Sequence, residues 1–284
     1  MYNKCTMNKI KVAAAQTNPA LMQNEENLAG ITGTAREAAQ NGAQLVVFPE
    51  CSLTGYIFQS RDEALPYAET VPGPATVEVE ALCKELGIHI AFGLLEKDGD
   101  RLFNAAALIG PDGLIGSYRK NHLPFMGVDR FTDRGDRPFQ VYSTPIGKIG
   151  LFICYDVMFP ESARVMALMG ADILVLLTNF PSGRGEIITD HLVSARAIEN
   201  NVHVVSANRV GTERDGSFSG MSKIVDASWE TLALAGPDTA EIIYADIDPA
   251  AARQKRTVAV PGVHEVDCMK DRRPELYDTI RSTI

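Results

Sequence analysis

Short apolar runs alternate with amphipathic, helix-like stretches along most of this 284-residue chain, and this alternation constrains the fold more than any other feature. Ile10–Gln16 and Leu45–Phe48 have the composition of strands, and Glu25–Asn41 between them has the spacing of an amphipathic helix. The same order recurs in the second half around the predicted helix Ser162–Met169. Because such alternation places helices against a largely parallel or mixed sheet, the sequence predicts an α/β fold.

This pattern continues through the rest of the chain, apart from a polar loop over Lys120–Pro138. Gly42–Phe48 and Gly170–Leu176 share one order of small, polar and apolar residues. This similarity between the two segments indicates two similar halves, or it reflects how any glycine-capped helix leads into a buried strand. No linker separates the halves, so we predict one domain over residues 1–284. The other predicted elements are strands Ile88–Leu94, Asn104–Ile109, Leu114–Arg119, Lys148–Ile153, Ile173–Leu177, His203–Ala207, Lys223–Val225 and Glu241–Asp246, and helices Thr76–Leu86 and His191–Asn200.

The chain is acidic, since 27 Lys and Arg residues against 36 Asp and Glu residues give a formal net charge of −9. Nucleic acids and anionic membranes attract basic surfaces, so neither is expected as a partner. Residues 1–8 are polar, lack the apolar run of a signal peptide, and are expected to form a loose tail. No later stretch is apolar for long enough to span a bilayer, and we expect a soluble cytoplasmic protein.

Cysteine and histidine residues are scattered rather than clustered. The five cysteines are odd in number without a CxxC pair, and the five histidines contain no HxxxH spacing. A disulfide framework and a metal site are therefore not expected, and a reducing compartment keeps the thiols free. Four of the cysteines need no role beyond packing: Cys5, Cys51, Cys83 and Cys268.

The fifth cysteine, Cys154, ends the apolar run Ile149–Ile153 and precedes a turn and a helix. Side chains at the carboxyl end of a strand in an α/β sheet face the crevice where ligands bind. At such a position, backbone N–H groups or an adjacent base activate a thiol as a nucleophile. A lone cysteine in a strand is otherwise a small buried hydrophobe. Charged residues at two other strand ends favour the nucleophile.

Glu50 and Lys120 are those charged residues. Glu50 follows the buried run Leu45–Pro49, where desolvation raises the pKa of a carboxyl towards that of a general base. Lys120 follows the predicted strand Leu114–Arg119, where a cation stabilises the oxyanion of an acyl transfer. Taken singly, Glu50 is equally a loop or helix-capping carboxylate, and Lys120 is equally a solvated loop cation.

Together with Cys154 these residues resemble the nitrilase superfamily of carbon-nitrogen hydrolases, whose members carry Glu, Lys and Cys in this order on three strand ends. The resemblance covers nearly the whole chain and points to the amidase-like branch. It rests on the segments Ala13–Gln16, Phe48–Glu50, Gly55–Tyr56, Tyr118–Lys120, His122–Leu123, Gly150–Glu161, Asn179–Pro181, Arg196–Asn200 and Arg272–Tyr277.

The resemblance implies a four-layer α-β-β-α sandwich with two central mixed β-sheets. It assigns Glu50 as the base, Lys120 as the oxyanion partner and Cys154 as the nucleophile of a cysteine-dependent amidase. Many members carry a second glutamate in the loop after the lysine, but that loop contains no Glu in this chain. Either Asp129 or Asp133 substitutes for it, or both are solvated or arginine-paired loop residues.

The resemblance also implies a mechanism that needs no metal or organic cofactor. The Cys154 thiolate attacks an amide carbonyl, Lys120 and the backbone N–H of Tyr155 stabilise the oxyanion, and ammonia leaves before water cleaves the thioester. The residues after Cys154, Tyr155-Asp156-Val157, look like those of amidases and carbamoyl hydrolases, whereas true nitrilases usually have Trp-Glu there. We therefore expect a small aliphatic amide as substrate, N-carbamoyl compounds next and nitriles third.

Side chains near these strand ends are candidate walls of the substrate pocket. Tyr56, Asn179 and Phe180 are placed for this role, although turn formation by Asn179 and packing by the two aromatic rings agree equally well with the sequence. Arg184 and His191 are candidates to meet a substrate carboxylate, but a solvated loop and helix face is the more common outcome.

Two other classes of function stay open, a ligand-binding member without turnover and a redox-sensing thiol at Cys154 with Cys51 nearby. The complete set of Glu50, Lys120 and Cys154 favours the enzyme. Family members commonly pair, so the resemblance implies a homo-oligomer, a dimer or a larger assembly. The tail over 253–284 mixes charged and apolar residues, which is compatible with contact to a neighbour or to its own subunit.

Overall fold

Two six-stranded mixed β-sheets organise residues 9–281, the part of the chain that the computed structural model describes. The tail predicted over residues 1–8 lies outside the described residues. The strands, in chain order, are β1 (Ile10–Gln16), β2 (Leu45–Val47), β3 (His89–Asp98), β4 (Arg101–Gly110), β5 (Gly113–Arg119), β6 (Val141–Thr144), β7 (Gly147–Ile153), β8 (Ile173–Thr178), β9 (His203–Asn208), β10 (Thr212–Glu213), β11 (Gly216–Ser217), β12 (Lys223–Val225), β13 (Thr231–Leu234), β14 (Glu241–Ile247), β15 (Arg256–Val260) and β16 (His264–Asp267).

Helices connect the parallel strands and bury one face each. In the first helix Ile31, Ala35 and Ala38 recur at helical spacing and are all buried. The helices are α1 (Asn24–Gln40), α2 (Arg61–Ala64), α3 (Pro74–Leu86), α4 (Pro160–Leu168), α5 (Gly185–Ile187) and α6 (Ser194–Ile198), with a π-helical turn over Ile188–Val193 between the last two. Short 3₁₀ turns occupy Leu65–Tyr67, Gly127–Arg130, Cys154–Met158, Pro249–Arg253, Pro274–Leu276 and Asp278–Arg281.

Both sheets have the same pattern of strand pairing. The first has the order β14-β1-β2-β3-β4-β5, and the second, read in the matching direction, has the order β6-β7-β8-β9-β12-β13. In each sheet the second, third and fourth strands are parallel neighbours, and all other pairings are antiparallel. The two similar sequence segments, Gly42–Phe48 and Gly170–Leu176, lead into β2 and β8, which occupy equivalent positions in the two sheets. The topology therefore favours the interpretation that the chain contains two similar halves.

The residues of β1 show how the layers pack. Val12 and Ala14 contribute to a core that also contains the strands of the second sheet, whereas Ala13 and Ala15 pack in a separate core with α1 and α3. Residues of α4 and α6 pack on the second sheet. A strand buried on both faces is apolar at nearly every position, and β1 is apolar without interruption from Val12 to Ala15. The predicted four-layer α-β-β-α sandwich is confirmed.

The structure departs from the predicted elements where the apolar pattern is short or irregular. The predicted helix His191–Asn200 begins earlier, since α5, the π-helical turn and α6 run from residue 185 to 198. The strands β6, β13, β15 and β16 were not predicted, because most of their side chains are half-buried or exposed and show no clear alternation.

The described part of the tail, residues 253–281, lies largely at the surface. It leaves several apolar side chains exposed: Val258, Val260, Val263, Leu276 and Ile280. Their contact with a second subunit stays a prediction, as does the single domain. No helix among residues 9–281 is both long and apolar enough to cross a membrane.

Candidate active site

A buried cluster of one cation and two carboxylates lies where strands of the first sheet end. Lys120 Nζ donates hydrogen bonds to Glu50 Oε1 and to Asp129 Oδ2, each at 2.6 Å, and none of the three side chains is exposed. Lys120 follows β5, and Glu50 follows β2 after two residues. A lysine ammonium carries three donors, so one remains for a further acceptor.

Asp129 reaches this cluster from the 3₁₀ turn Gly127–Arg130. Asp133 does not: its carboxylate pairs with Arg61 at 2.8 Å and accepts the backbone N–H of Leu102. Of the two aspartates weighed from the sequence, Asp129 alone occupies the position next to Lys120. Asp133 is an arginine-paired loop residue.

Asn104, in the middle of β4, is a member of this cluster that sequence reasoning missed. Its buried Nδ2 donates to Glu50 Oε1 at 2.7 Å and to Asp129 Oδ1 at 2.9 Å. Glu50 Oε1 thus has two donors, whereas its Oε2 is buried and has no hydrogen-bond partner among the described residues. An asparagine within the run Leu102–Gly110, which is otherwise free of polar side chains, is the signal in the sequence that points to this residue.

Cys154 begins the 3₁₀ turn directly after β7 and is 8% exposed. Its φ of +46° is unusual for a residue with a side chain, and such strain persists only where the surroundings hold it. Burial raises the pKa of the Cys154 thiol well above its ordinary range. The Glu50 carboxylate acts in the same direction, whereas Lys120 and the backbone N–H of Asn179 oppose the rise. The neutral thiol form of Cys154 is therefore favoured over the thiolate.

The carboxyl of Glu50, in the same cluster, also has a shifted pKa. Burial raises the pKa of its carboxyl, and the charge of Asp129 adds to the rise that Lys120 and Asn104 oppose. Burial also acts to lower the pKa of Lys120, but the carboxylates of Asp129 and Glu50 outweigh it and the pKa is raised. Two acids share one ammonium, so the lysine stays charged and a proton on Glu50 is tolerated.

The predicted pocket residues take different positions. Tyr56 is buried and its hydroxyl donates to Asp129 Oδ2 at 2.9 Å. Asn179 Nδ2 donates to the backbone oxygen of Glu50 at 2.9 Å, which ties the second sheet to the first at the cluster. Phe180 is buried in the apolar core that contains the second sheet, and its N–H donates to Asn208 Oδ1. Tyr56 and Asn179 thus adjoin the cluster, and Phe180 is a core residue.

The remaining candidates lie at the surface. The Tyr155 side chain is 36% exposed and packs edge-on against Phe159. Arg184 is exposed, and the only charged partner of His191 within residues 9–281 is its neighbour Asp190. Within the described part of the chain, no group of three or more His, Cys, Asp and Glu side chains is arranged to hold a metal ion.

The sequence is similar to those of known carbon-nitrogen hydrolases over most of its length. The model of the carbon-nitrogen hydrolase family matches residues 11–257. The chain is 38% identical to a nitrilase of Pyrococcus abyssi over 270 residues, which cover 94% of this chain and 99% of the relative. It is 32% identical to a citrullinase of Francisella tularensis over 96% of this chain and 99% of the relative. It is 33% identical to an omega-amidase of Bos taurus over 89% of this chain and 91% of the relative.

Solved structures agree on the fold. A carbon-nitrogen hydrolase from Helicobacter pylori superposes with a TM-score of 0.85 at 24% identity, covering 98% of this chain and 99% of the other. Nit3 of Saccharomyces cerevisiae, described as a member of the nitrilase superfamily, gives a TM-score of 0.78 at 28% identity over 90% and 96% of the two chains.

Proposed function

Because this chain belongs to the carbon-nitrogen hydrolase family, in the amidase-like part of the nitrilase superfamily, we propose that it hydrolyses a small aliphatic amide to a carboxylate and ammonia. The observation that carries the proposal is the buried cluster of Glu50, Lys120 and Asp129 next to the Cys154 thiol. Such a cluster is costly to bury and supplies what acyl transfer needs, a base, a cation and a nucleophile.

The first half of the proposed reaction acylates Cys154. The free Oε2 of Glu50 takes the thiol proton while the sulfur forms a bond to the amide carbon. The carbonyl oxygen becomes an oxyanion, which the remaining Lys120 donor and the backbone N–H of Tyr155 stabilise. The intermediate then collapses, the C–N bond breaks, and the proton on Glu50 moves to the nitrogen so that ammonia leaves.

The second half returns the enzyme to its starting state. Glu50 takes a proton from water, whose oxygen attacks the thioester carbon. The C–S bond breaks, the proton from Glu50 restores the Cys154 thiol, and the carboxylic acid product loses its own proton to water and leaves as a carboxylate. In this scheme Asp129 keeps Lys120 charged and oriented and takes no proton itself.

The order of substrates stays as the sequence indicates, amides first, N-carbamoyl compounds second and nitriles third. Relatives named omega-amidase, citrullinase and N-carbamoylputrescine amidase support the first two classes. The relative with 38% identity is named a nitrilase, which supports the third. Tyr155-Asp156 after the nucleophile favours the first two classes.

The test is an ammonia-release screen over small aliphatic amides, N-carbamoyl amines and nitriles, with the acylated enzyme trapped by acid and analysed by mass spectrometry. We expect ammonia from amides, an acyl adduct on the tryptic peptide that contains Cys154, and release at background level from Cys154→Ala. Cys83→Ala is the matched control, because Cys83 is also buried but lies in α3 and outside the cluster.

Three results would contradict the proposal. Ammonia release by folded Cys154→Ala would show that Cys154 is not the nucleophile. Ligand binding without release by the wild type would favour a binding protein, and oxidised forms of Cys154 without any acyl adduct would favour a redox sensor.

A further inference from the structure

We propose that Asp156 is a positioning residue that fixes Lys120 relative to Cys154, so that one buried carboxylate sets the distance between cation and nucleophile. The role in turnover rests on the proposed function. The geometric role concerns the thiol alone and is testable without any substrate.

Asp156 is completely buried, accepts three hydrogen bonds and makes a fourth polar contact with a histidine ring. Its Oδ1 accepts the backbone N–H of His122 at 3.2 Å and contacts Nδ1 of the same residue at 2.7 Å. Its Oδ2 accepts the Tyr118 hydroxyl at 2.8 Å and the backbone N–H of Ile153 at 2.9 Å. We call this set of contacts the Asp156 clamp.

The partners of Asp156 lie next to Lys120 and Cys154 in the sequence. Tyr118 and His122 flank Lys120 by two residues on either side, at the end of β5 in the first sheet. Ile153 and Asp156 flank Cys154, at the end of β7 in the second sheet. One carboxylate therefore holds the segments on both sides of the lysine and of the cysteine, across the boundary between the two sheets.

Ring stacking fixes the orientation of the donors. The imidazole of His122 stacks on Phe159, with ring centroids 3.8 Å apart and planes 12° apart. Tyr118 stacks on Phe139 at 5.3 Å and 18°. The stacked rings therefore restrict the orientations in which these two donors meet the carboxylate.

The backbone at Cys154 explains why such a clamp is needed. With a φ of +46°, Cys154 occupies a conformation that is strained for a residue with a side chain and is kept only by surrounding contacts. The bond from Ile153 N–H to Asp156 closes this strained turn from within. If it is lost, the turn relaxes and the thiol moves away from Glu50 and Lys120.

The substitution Asp156→Asn tests the clamp because it conserves shape. Each oxygen of Asp156 accepts one backbone N–H, so an amide NH₂ in place of either oxygen faces a donor that has no alternative. Tyr118→Phe removes one bond of the clamp and keeps the ring. Asp172→Asn is the matched control, since Asp172 is equally buried and accepts the Lys148 N–H at the opposite end of β7.

The experiment measures the rate at which iodoacetamide alkylates Cys154, followed by mass spectrometry of the peptide Ile149–Arg164, together with kcat and KM on the best amide. For Asp156→Asn we expect alkylation about tenfold slower and kcat about 100-fold lower, with KM within about threefold, since a small misplacement of reacting groups costs this much. Tyr118→Phe should show a smaller fall in the alkylation rate and in kcat. Asp172→Asn should leave both at the wild-type values.

The proposal is overturned if folded Asp156→Asn alkylates at the wild-type rate, or if Asp172→Asn slows alkylation equally. If Asp156→Asn does not fold, Tyr118→Phe decides: wild-type alkylation and kcat in that variant refute the clamp. If the wild type hydrolyses none of the amides, the proposed function fails, and the alkylation rates still judge the clamp by themselves.

Discussion

Asn104, like Lys120, joins the two carboxylates of the buried cluster, because its amide nitrogen donates to both Glu50 and Asp129. Donation to an ionised carboxylate lowers its pKa, whereas burial and the neighbouring Asp129 raise the pKa of Glu50. Asn104 therefore keeps Glu50 ionised at a lower pH than burial alone would permit. In the proposed reaction Glu50 must be ionised to accept the thiol proton.

Replacing Asn104 with Leu tests this role through the pH dependence of activity. Without the donor the pKa of Glu50 rises further, so at a given acidic pH less of the enzyme has an ionised base. The acidic limb of kcat/KM should move to higher pH by about one unit, since a hydrogen bond to a charged group contributes about 1.5 to 3 kcal/mol. Asn200→Leu, at a buried asparagine beyond α6, should leave the limb in place. A limb that does not move in Asn104→Leu would rule out the effect.

Among the elements, the 3₁₀ turn Gly127–Arg130 determines which aspartate meets Lys120. The turn packs on the ring of Tyr56, and a Cβ at Gly127 would lie 2.3 Å from a ring carbon. Val128 N–H donates to the Tyr56 backbone oxygen at 2.8 Å, and the Tyr56 hydroxyl donates to Asp129. The glycine lets the turn approach closely enough for Asp129 to reach the lysine.

Gly127→Ala should therefore lower activity without unfolding the protein. The added methyl group pushes the turn away from Tyr56 and draws Asp129 from Lys120, so we expect kcat/KM for the best amide to fall at least about tenfold. The control is Gly99→Ala in the turn between β3 and β4, which has φ of +60° but open space around its Cβ. Equal kcat/KM losses in the two variants would show that backbone strain, and not the contact with Tyr56, is responsible.

At the scale of the whole molecule, the two sheets share one core. Leu151 of β7 is almost fully buried there together with residues of β1, β2 and β4 from the other sheet. Neither sheet has an independent inner face, because each covers the apolar side chains of the other. This arrangement is the reason to expect that both halves unfold together as one domain.

Leu151→Ala tests that expectation. We expect the free energy of unfolding to fall by about 3 kcal/mol, as for other buried leucines, and the transition to remain single. The chain has one tryptophan, Trp229 in the second half, so its fluorescence reports that half while far-ultraviolet circular dichroism reports both. Leu232→Ala, at a side chain that is 37% exposed, should have a small effect. Separate fluorescence and dichroism transitions would contradict the single domain.

The α/β class and the order of the main strands and helices follow from the amino-acid sequence, because apolar periodicity is a local property that each segment carries. The sequence also placed Glu50, Lys120 and Cys154 at strand ends, where the structure brings Glu50 and Lys120 into contact. The helix over residues 185–198 and the exposed strands were less predictable, since a π-helical turn and half-exposed side chains blur the pattern.

Which other side chains contact Glu50, Lys120 and Cys154 depends on the three-dimensional fold. Asn104 lies 54 positions from Glu50 and 25 from Asp129 along the chain, so their contact depends on strand register and on the path of a loop. The choice of Asp129 over Asp133 depends on how the turn at Gly127 packs on Tyr56. The Asp156 clamp exists only because two sheets place the ends of β5 and β7 together. Contacts between segments that are distant in the sequence are determined by packing, so the local pattern of apolar and polar residues does not predict them.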